Sequence, residues 1–262
     1  MTAERAAAQD ISTFPDVARR LRAVDWDGVE RALWEMGCAP LPALLSAKEC
    51  ADLVALYDDE ARFRKRIDME RHRFGVGEYK YFAAPLPPLV QSLRTDAYPP
   101  LVAVANRWRE ALRGGRRAAR SAGVGRSSAP FPADLGRFLG RCARRGQTKP
   151  TPLLLRYEAG GYNCLHQDLY GEIAFPLQMT FLLSRPGADF EGGEMLFVEQ
   201  QPRQQSHGTV VVLRQGEGVV FATRERPVRG ARGFRRAVLR HGVSRVTAGR
   251  RLALGIIFHD AR

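Results

Sequence analysis

His166 and Asp168 stand two residues apart in YNCLHQDLYGE, residues 162 to 172. On an extended strand side chains alternate between faces, so an imidazole at i and a carboxylate at i+2 converge on one side. Taken alone, the pair also fits a turn in which Asp168 caps a backbone amide. A third partner shifts that balance: His241, in LRHGVSRV, lies 73 residues beyond Asp168 on another strand-length run. Two imidazoles and one carboxylate can hold a divalent iron with three coordination positions open, whereas a structural zinc site is closed by four protein ligands. His166, Asp168 and His241 are therefore the expected metal ligands and catalytic centre. Iron held this way commonly takes a 2-oxoacid through two open positions and dioxygen through the third. The far carboxylate of the 2-oxoacid then needs a buried cation. Arg251, ten residues after His241 and beyond a turn expected at TAG (247–249), can supply a bidentate guanidinium fork. Strand alternation places Arg250 on the opposite face.

The elements that must position these residues change character along the chain. DWDGVERALWEMG opens with a capping Asp25, repeats apolar residues at helical spacing and stops at Gly37. SAKECADLVALYDDEARF sets Ser46 and Glu49 in capping-box spacing. FGVGEYKYF (74–82) reads as a short strand or hairpin, and PLPPLVQSLRTDAYPPLVAVANRWREAL as two helices begun by prolines. RGGRRAARSAGVGR (113–126) reads as a basic loop, and ADLGRFLGRCARRG as a helix over about 133–145. After Lys149 the chain breaks into short apolar runs separated by turns such as EAGG, RPGADFEGG and RQGEG. Seven or eight strands with no helices between them predict a jelly-roll barrel. The expected organisation is α+β: a mainly helical region over 1–148, with a basic loop near 113–130, packed around a double-stranded β-helix over 149–262.

Composition narrows the partners. The 262 residues carry 41 Lys and Arg against 28 Asp and Glu, a net charge of +13. Such a balance favours a polyanionic partner such as nucleic acid. Only four of the basic residues are Lys, so a general bias towards arginine codons explains part of the excess. Arg224, Arg226, Arg229, Arg232, Arg235 and Arg236 crowd the stretch before His241 and are expected around the mouth of the site. The four cysteines lack metal-binding or disulfide spacing and are expected as free thiols, with Cys164 a small buried apolar group. No apolar run is long enough to span a bilayer and MTAERAAAQD lacks a secretory pattern, so a cytoplasmic location is expected.

HQD, FEGGEM, GEGVVF and HGVSRVTAGRRLALGIIF together resemble the Fe(II)/2-oxoglutarate-dependent oxygenases of the prolyl-hydroxylase-like group, over roughly residues 152–260. The resemblance implies that His166, Asp168 and His241 hold Fe(II), that Arg251 pairs with the distal carboxylate of 2-oxoglutarate, and that dioxygen is the oxidant. It also implies a co-substrate contact for Tyr157, for which a core position is the alternative. Gln178 and Thr180 share a strand face and are further candidate contacts. The expected outcome is hydroxylation of a C–H bond, or dealkylation where the carbon is bonded to nitrogen. Three functions follow: an oxygenase of nucleic acid, alkylated or damaged DNA first; a protein prolyl hydroxylase; and a non-catalytic barrel that binds an anion or nucleic acid.

Overall fold

The computed structural model describes residues 15–114, 129–231 and 233–262. Among these residues the six helices, α1 (Pro15–Arg22), α2 (Trp26–Met36), α3 (Ala47–Ala55), α4 (Pro88–Asp96), α5 (Tyr98–Gly114) and α6 (Leu135–Ala143), all precede residue 149. The early strands are β1 (Cys38–Leu41), β2 (Phe63–Asp68), β3 (Gly75–Val76) and β4 (Glu78–Phe82). The later ones are β5 (Leu153–Glu158), β6 (Tyr162–His166), β7 (Leu177–Leu182), β8 (Phe190–Gly192), β9 (Met195–Gln200), β10 (His207–Val211), β11 (Gly218–Ala222), β12 (Glu225–Gly230), β13 (Gly233–Val243) and β14 (Val246–Ile257). The loop expected at 113–126 lies, from 115 onward, outside the described residues.

The strands form two antiparallel sheets. The major, eight-stranded sheet runs β1-β11-β7-β14-β5-β4-β2, with β8 beside β14; the minor, six-stranded sheet runs β10-β9-β13-β6-β3, with β12 beside β13. Residues of both sheets line one cavity, so the sheets face each other as the two walls of the double-stranded β-helix. Buried apolar residues of the helices and of both sheets form one continuous core, and Phe197 of β9 meets Phe221 of β11 across it at 5.1 Å. β1, β2 and β4, all earlier in the chain than residue 149, extend the major sheet.

Local sequence explains most elements. Asp25 caps α2 by accepting from the Gly28 amide. The Ser46–Glu49 capping box is present in both directions, and both Glu49 carboxylate oxygens also accept from Arg20 Nη2 at 2.7 Å, which joins α1 to α3. That helix ends at Ala55, earlier than the apolar run suggested, and gives way to two short 3-10 turns. FGVGEYKYF is not a hairpin: β3 pairs with β6 in the minor sheet, and β4 with β2 and β5 in the major one. The turn before β14 lies at Ser244–Arg245, so the TAG segment expected as a turn is already strand. Arg94 of α4 fastens the helical layer to the C-terminus, donating to the carbonyls of Ile257 and Phe258 and to Asp260.

Candidate metal centre and co-substrate cavity

β6 and β13 are neighbours in the minor sheet, and their register sets His166 directly opposite His241. Asp168 follows β6 by two residues. One ligand atom from each of His166, Asp168 and His241 lies within 4.8 Å of the others. His241 Nε2 is 3.2 Å from Asp168 Oδ2, and His166 Nε2 is 3.6 Å from Asp168 Oδ1. The register shifts by a β-bulge just after His241, a device that re-aims side chains beside functional sites.

Neighbouring groups fix the orientation of each ligand. His166 Nδ1 lies 2.8 Å from the Cys164 carbonyl, which only accepts, so the ring proton sits on Nδ1 and the Nε2 lone pair turns to the site. Gln167, between the ligands, donates its amide to the carbonyls of Arg224 and Leu239 at 3.1 and 2.9 Å and ties the ligand loop to β13. Tyr170 donates to Asp168 Oδ1 at 2.7 Å. Burial alone would raise the Asp168 carboxyl, but the hydrogen bond and charge of His241, then His166 and Tyr170, outweigh it and hold the group well below the usual carboxylate range. Burial, followed by the neighbouring His166, lowers His241. An ionised carboxylate beside two imidazole rings is the donor set that a divalent cation needs.

A cavity of about 280 Å³ opens from this cluster between the sheets. Tyr157 of β5, Gln178 and Thr180 of β7, and Arg251 of β14 all line it, so the structure brings every sequence-predicted site residue to one cavity. Arg251 is buried, and its Nε and Nη1 have no hydrogen-bond partner; the Gln178 amide nitrogen is buried and unpartnered as well. A buried, unpartnered guanidinium is costly unless a ligand completes it. A carboxylate does so with matching two-point geometry. Arg250 is exposed and pairs with Glu158 at 2.8 Å, so the strand parity read from the sequence holds. Tyr157 is fully buried, accepts from Asn163 at 3.3 Å, and has its hydroxyl pushed up to about 12, mainly by burial. The residues thus fit both a divalent metal and an anionic ligand with a carboxylate end.

Sequence reasoning missed Tyr170 and Gln167. Tyr170 continues the i, i+2 progression from His166 through Asp168, which was the available signal. The arginine stretch divides: Arg224 stays beside the loop that carries His166 and Asp168, its carbonyl accepting from Gln167, whereas Arg226, Arg229 and Arg235 need correction. Arg226 is buried, donates to Glu199 and to the Trp34 carbonyl at 2.5 Å, and locks the β12–β13 hairpin to α2. Arg229 and Arg235 stand near the hairpin tip, where Gly230 meets Gly233. At about 3.3 Å per strand residue, Arg235 is roughly 20 Å along β13 from His241. Arg232 lies outside the described residues. Cys164, expected buried, is exposed, while Cys38, Cys50 and Cys142 are buried free thiols. His259 is wholly buried, its Nδ1 accepting from the Phe175 amide.

A family model, Oxygenase-NA, described as "Oxygenase, catalysing oxidative methylation of damaged DNA", matches residues 77–261. The chain is 46% identical over 180 residues to "Uncharacterized protein Rv2227" of Mycobacterium tuberculosis (strain ATCC 25618 / H37Rv), a match that spans 69% of this chain and 72% of that protein. Among solved structures, a prolyl-4-hydroxylase of Pseudomonas putida aligns at 13% identity over 90% of this chain and 99% of its own, with TM-score 0.47. An oxidoreductase of the 2OG-Fe(II) oxygenase family from Burkholderia pseudomallei aligns at 17% over 99% and 98%, with TM-score 0.46. With the family model matching most of the chain, including β6, β13 and β14, this chain belongs to the Oxygenase-NA family of oxygenases.

Proposed function

We propose that the protein is an Fe(II)- and 2-oxoglutarate-dependent oxygenase that removes alkyl groups from damaged DNA. The observation that carries this reading is one cavity holding a two-His, one-carboxylate cluster at one end and the unpartnered Arg251 guanidinium in its wall. The description of the family supports DNA as the substrate class. His166, Asp168 and His241 would hold the metal, and Arg251 would take the distal carboxylate of 2-oxoglutarate, with Tyr157, Gln178 and Thr180 beside it. When bound, iron and 2-oxoglutarate supply dioxygen activation coupled to decarboxylation, giving succinate, carbon dioxide and one oxygen atom inserted into a substrate C–H bond.

The chain's own residues do the rest. Tyr170 and Gln167 hold the ligand loop in place, so that Asp168 presents an ionised carboxylate without rearrangement. Leu155, Met179, Val243 and Ile257 give the cavity apolar walls that exclude water. A DNA base must leave the helical stack to reach groups set between two sheets, so single-stranded or already unpaired bases are the favoured substrates. Hydroxylation of an N-methyl carbon yields an N–CH2OH group. This group releases formaldehyde and returns its hydroxyl proton to nitrogen, so the methyl is lost.

The test is anaerobic loading with Fe(II) and 2-oxoglutarate, then oxygen, with succinate measured against methylated single-stranded DNA, duplex DNA, RNA and proline-containing peptide pools. Stimulation by methylated DNA with release of formaldehyde supports the reading. Stimulation by peptides alone transfers it to a protein hydroxylase, and the absence of any 2-oxoglutarate turnover leaves a binding barrel.

A further inference from the structure

The cavity mouth carries a feature that the metal and co-substrate chemistry does not use. Phe74 is 46% exposed, yet its side chain lines the same cavity as His166, Asp168 and His241. The His72 ring lies nearly parallel to it, 5.3 Å away with 20° between planes. A second exposed apolar side chain, Leu169, lines the same cavity. Folding normally covers such a group of side chains, and an exposed apolar cluster beside a cavity marks a ligand surface.

The segment that presents Phe74 is held firmly. Met69, fully buried, donates its amide to the Gly77 carbonyl at 2.9 Å and closes the base of the loop. The Phe74 amide returns to the Met69 carbonyl at 2.9 Å, and the Phe74 carbonyl accepts from the Cys164 amide at 2.8 Å, on the strand that bears His166. Gly75, with φ of 138°, lies so close to β6 that a Cβ would sit 2.3 Å from the Tyr162 carbonyl oxygen. Arg73 adopts a left-handed backbone, φ 59°, which non-glycine residues rarely take. Backbone constraint of this kind collects where side chains must be aimed. Here it aims an aromatic ring outward over the mouth.

We propose that residues 71–74 form a stacking platform for a nucleobase of single-stranded DNA, an inference that rests on the DNA reading above. Phe74 offers a flat apolar face continued by His72, which suits any base irrespective of sequence. Arg71 and Arg73 are exposed beside it, Arg71 within 3.2 Å of Asp68 and Arg73 without an ion-pair partner among the described residues. Both stand where a strand's phosphates must pass if a base lies on Phe74. The cations that meet DNA are thus those of this loop, which is bonded to the ligand strand, rather than those at the distant β12–β13 tip.

The experiment measures binding of fluorescein-labelled ten-nucleotide strands, carrying either bases throughout with one central methylated base or abasic positions throughout. The full chain is used with Mn(II) and 2-oxoglutarate in the absence of oxygen. Wild type is expected to prefer the base-bearing strand by about tenfold, the stacking of one base. Phe74→Ala should bind both strands alike, and Phe74→Trp should restore the preference. Arg71→Ala with Arg73→Ala should flatten the log–log salt dependence by about 0.7 for each phosphate that is no longer neutralised. A Phe74→Ala variant that keeps the wild-type preference overturns the platform while leaving the DNA reading intact. Wild type that binds neither strand overturns both.

Discussion

Two cross-strand pairs face the central cavity from opposite sheets, and they are built differently. In the minor sheet His166 opposes His241, with ring centroids 4.2 Å apart; in the major sheet Tyr157 opposes Arg251. The major-sheet pair lies on central strands and is buried completely, the guanidinium 5.6 Å from the Tyr157 ring. The minor-sheet pair is asymmetric: the His241 side chain is buried against Phe221 at 4.7 Å, whereas that of His166 is 34% exposed, on a strand followed only by the two-residue β3. The closed pair suits a ligand recognised by charge and shape and shielded from water. The half-open pair suits chemistry, because something must enter and leave beside it.

The largest effects should come from the half-open pair. Asp168→Ala or His241→Ala is expected to abolish both Fe(II) binding, read by calorimetry under anaerobic conditions, and succinate formation. Far-UV circular dichroism should stay unchanged, because the core is packed without these groups. Iron binding at wild-type affinity in either variant would remove the metal assignment.

Next comes the closed pair. Arg251→Ala should weaken 2-oxoglutarate binding by tens to hundreds of fold, given about 1.5–3 kcal/mol for a hydrogen bond to a charged group. Arg250→Ala, on the exposed face, should leave that affinity unchanged. Equal losses in the two variants would dissolve the distinction between the faces of β14.

A smaller effect is expected from Tyr170→Phe, which keeps the ring against Tyr81 and removes the hydrogen bond to Asp168. Metal affinity should fall roughly 10- to 100-fold, the usual cost of losing a group that orients a ligand. 2-Oxoglutarate affinity, measured at saturating metal, should change little.

The remaining effect is on stability rather than on binding and concerns His259, just beyond β14 and 5.9 Å from Tyr170. Burial, aided by the nearby Arg94 and opposed by Asp168, pushes this imidazole down to about 4. The unfolded chain, with an ordinary imidazole near 6.5, takes up its proton first. Stability therefore falls as pH drops from about 6.5 towards 4, by about 1.4 kcal/mol per pH unit at most. In His259→Asn, whose side-chain oxygen can accept from Phe175, urea midpoints across this window should show a shallower acid slope than wild type. Identical slopes would mean that His259 is not the group responsible.

The sequence disclosed the site more fully than its frame. The convergence of His166, Asp168 and His241 was legible from an i, i+2 pair and a later strand, and the burial of Arg251 from its alternation with Arg250. Tyr170 shares that i, i+2 spacing but was passed over, because a tyrosine between apolar residues reads as core and its bond to Asp168 shows only in the fold. β1, β2 and β12 were missed for a common reason. All three are edge strands, and their sequences, CAPL, FRKRID and ERPVRG, carry the proline or charge that discourages edge pairing. The arginines before His241 misled because periodicity does not report which cations are consumed internally, as Arg226 is by Glu199.

The turn after β8 carries a consequence for descent. Gly193 has φ of 67°, and a Cβ there would sit 2.8 Å from Arg251 Cδ. The second glycine of FEGGEM and the arginine 58 positions later therefore occupy one volume between them. A lineage that acquires a side chain at the first must relocate the cation of the second, or lose it. The two positions are expected to drift as a unit, and a homologue lacking this glycine should carry its buried cation on another strand.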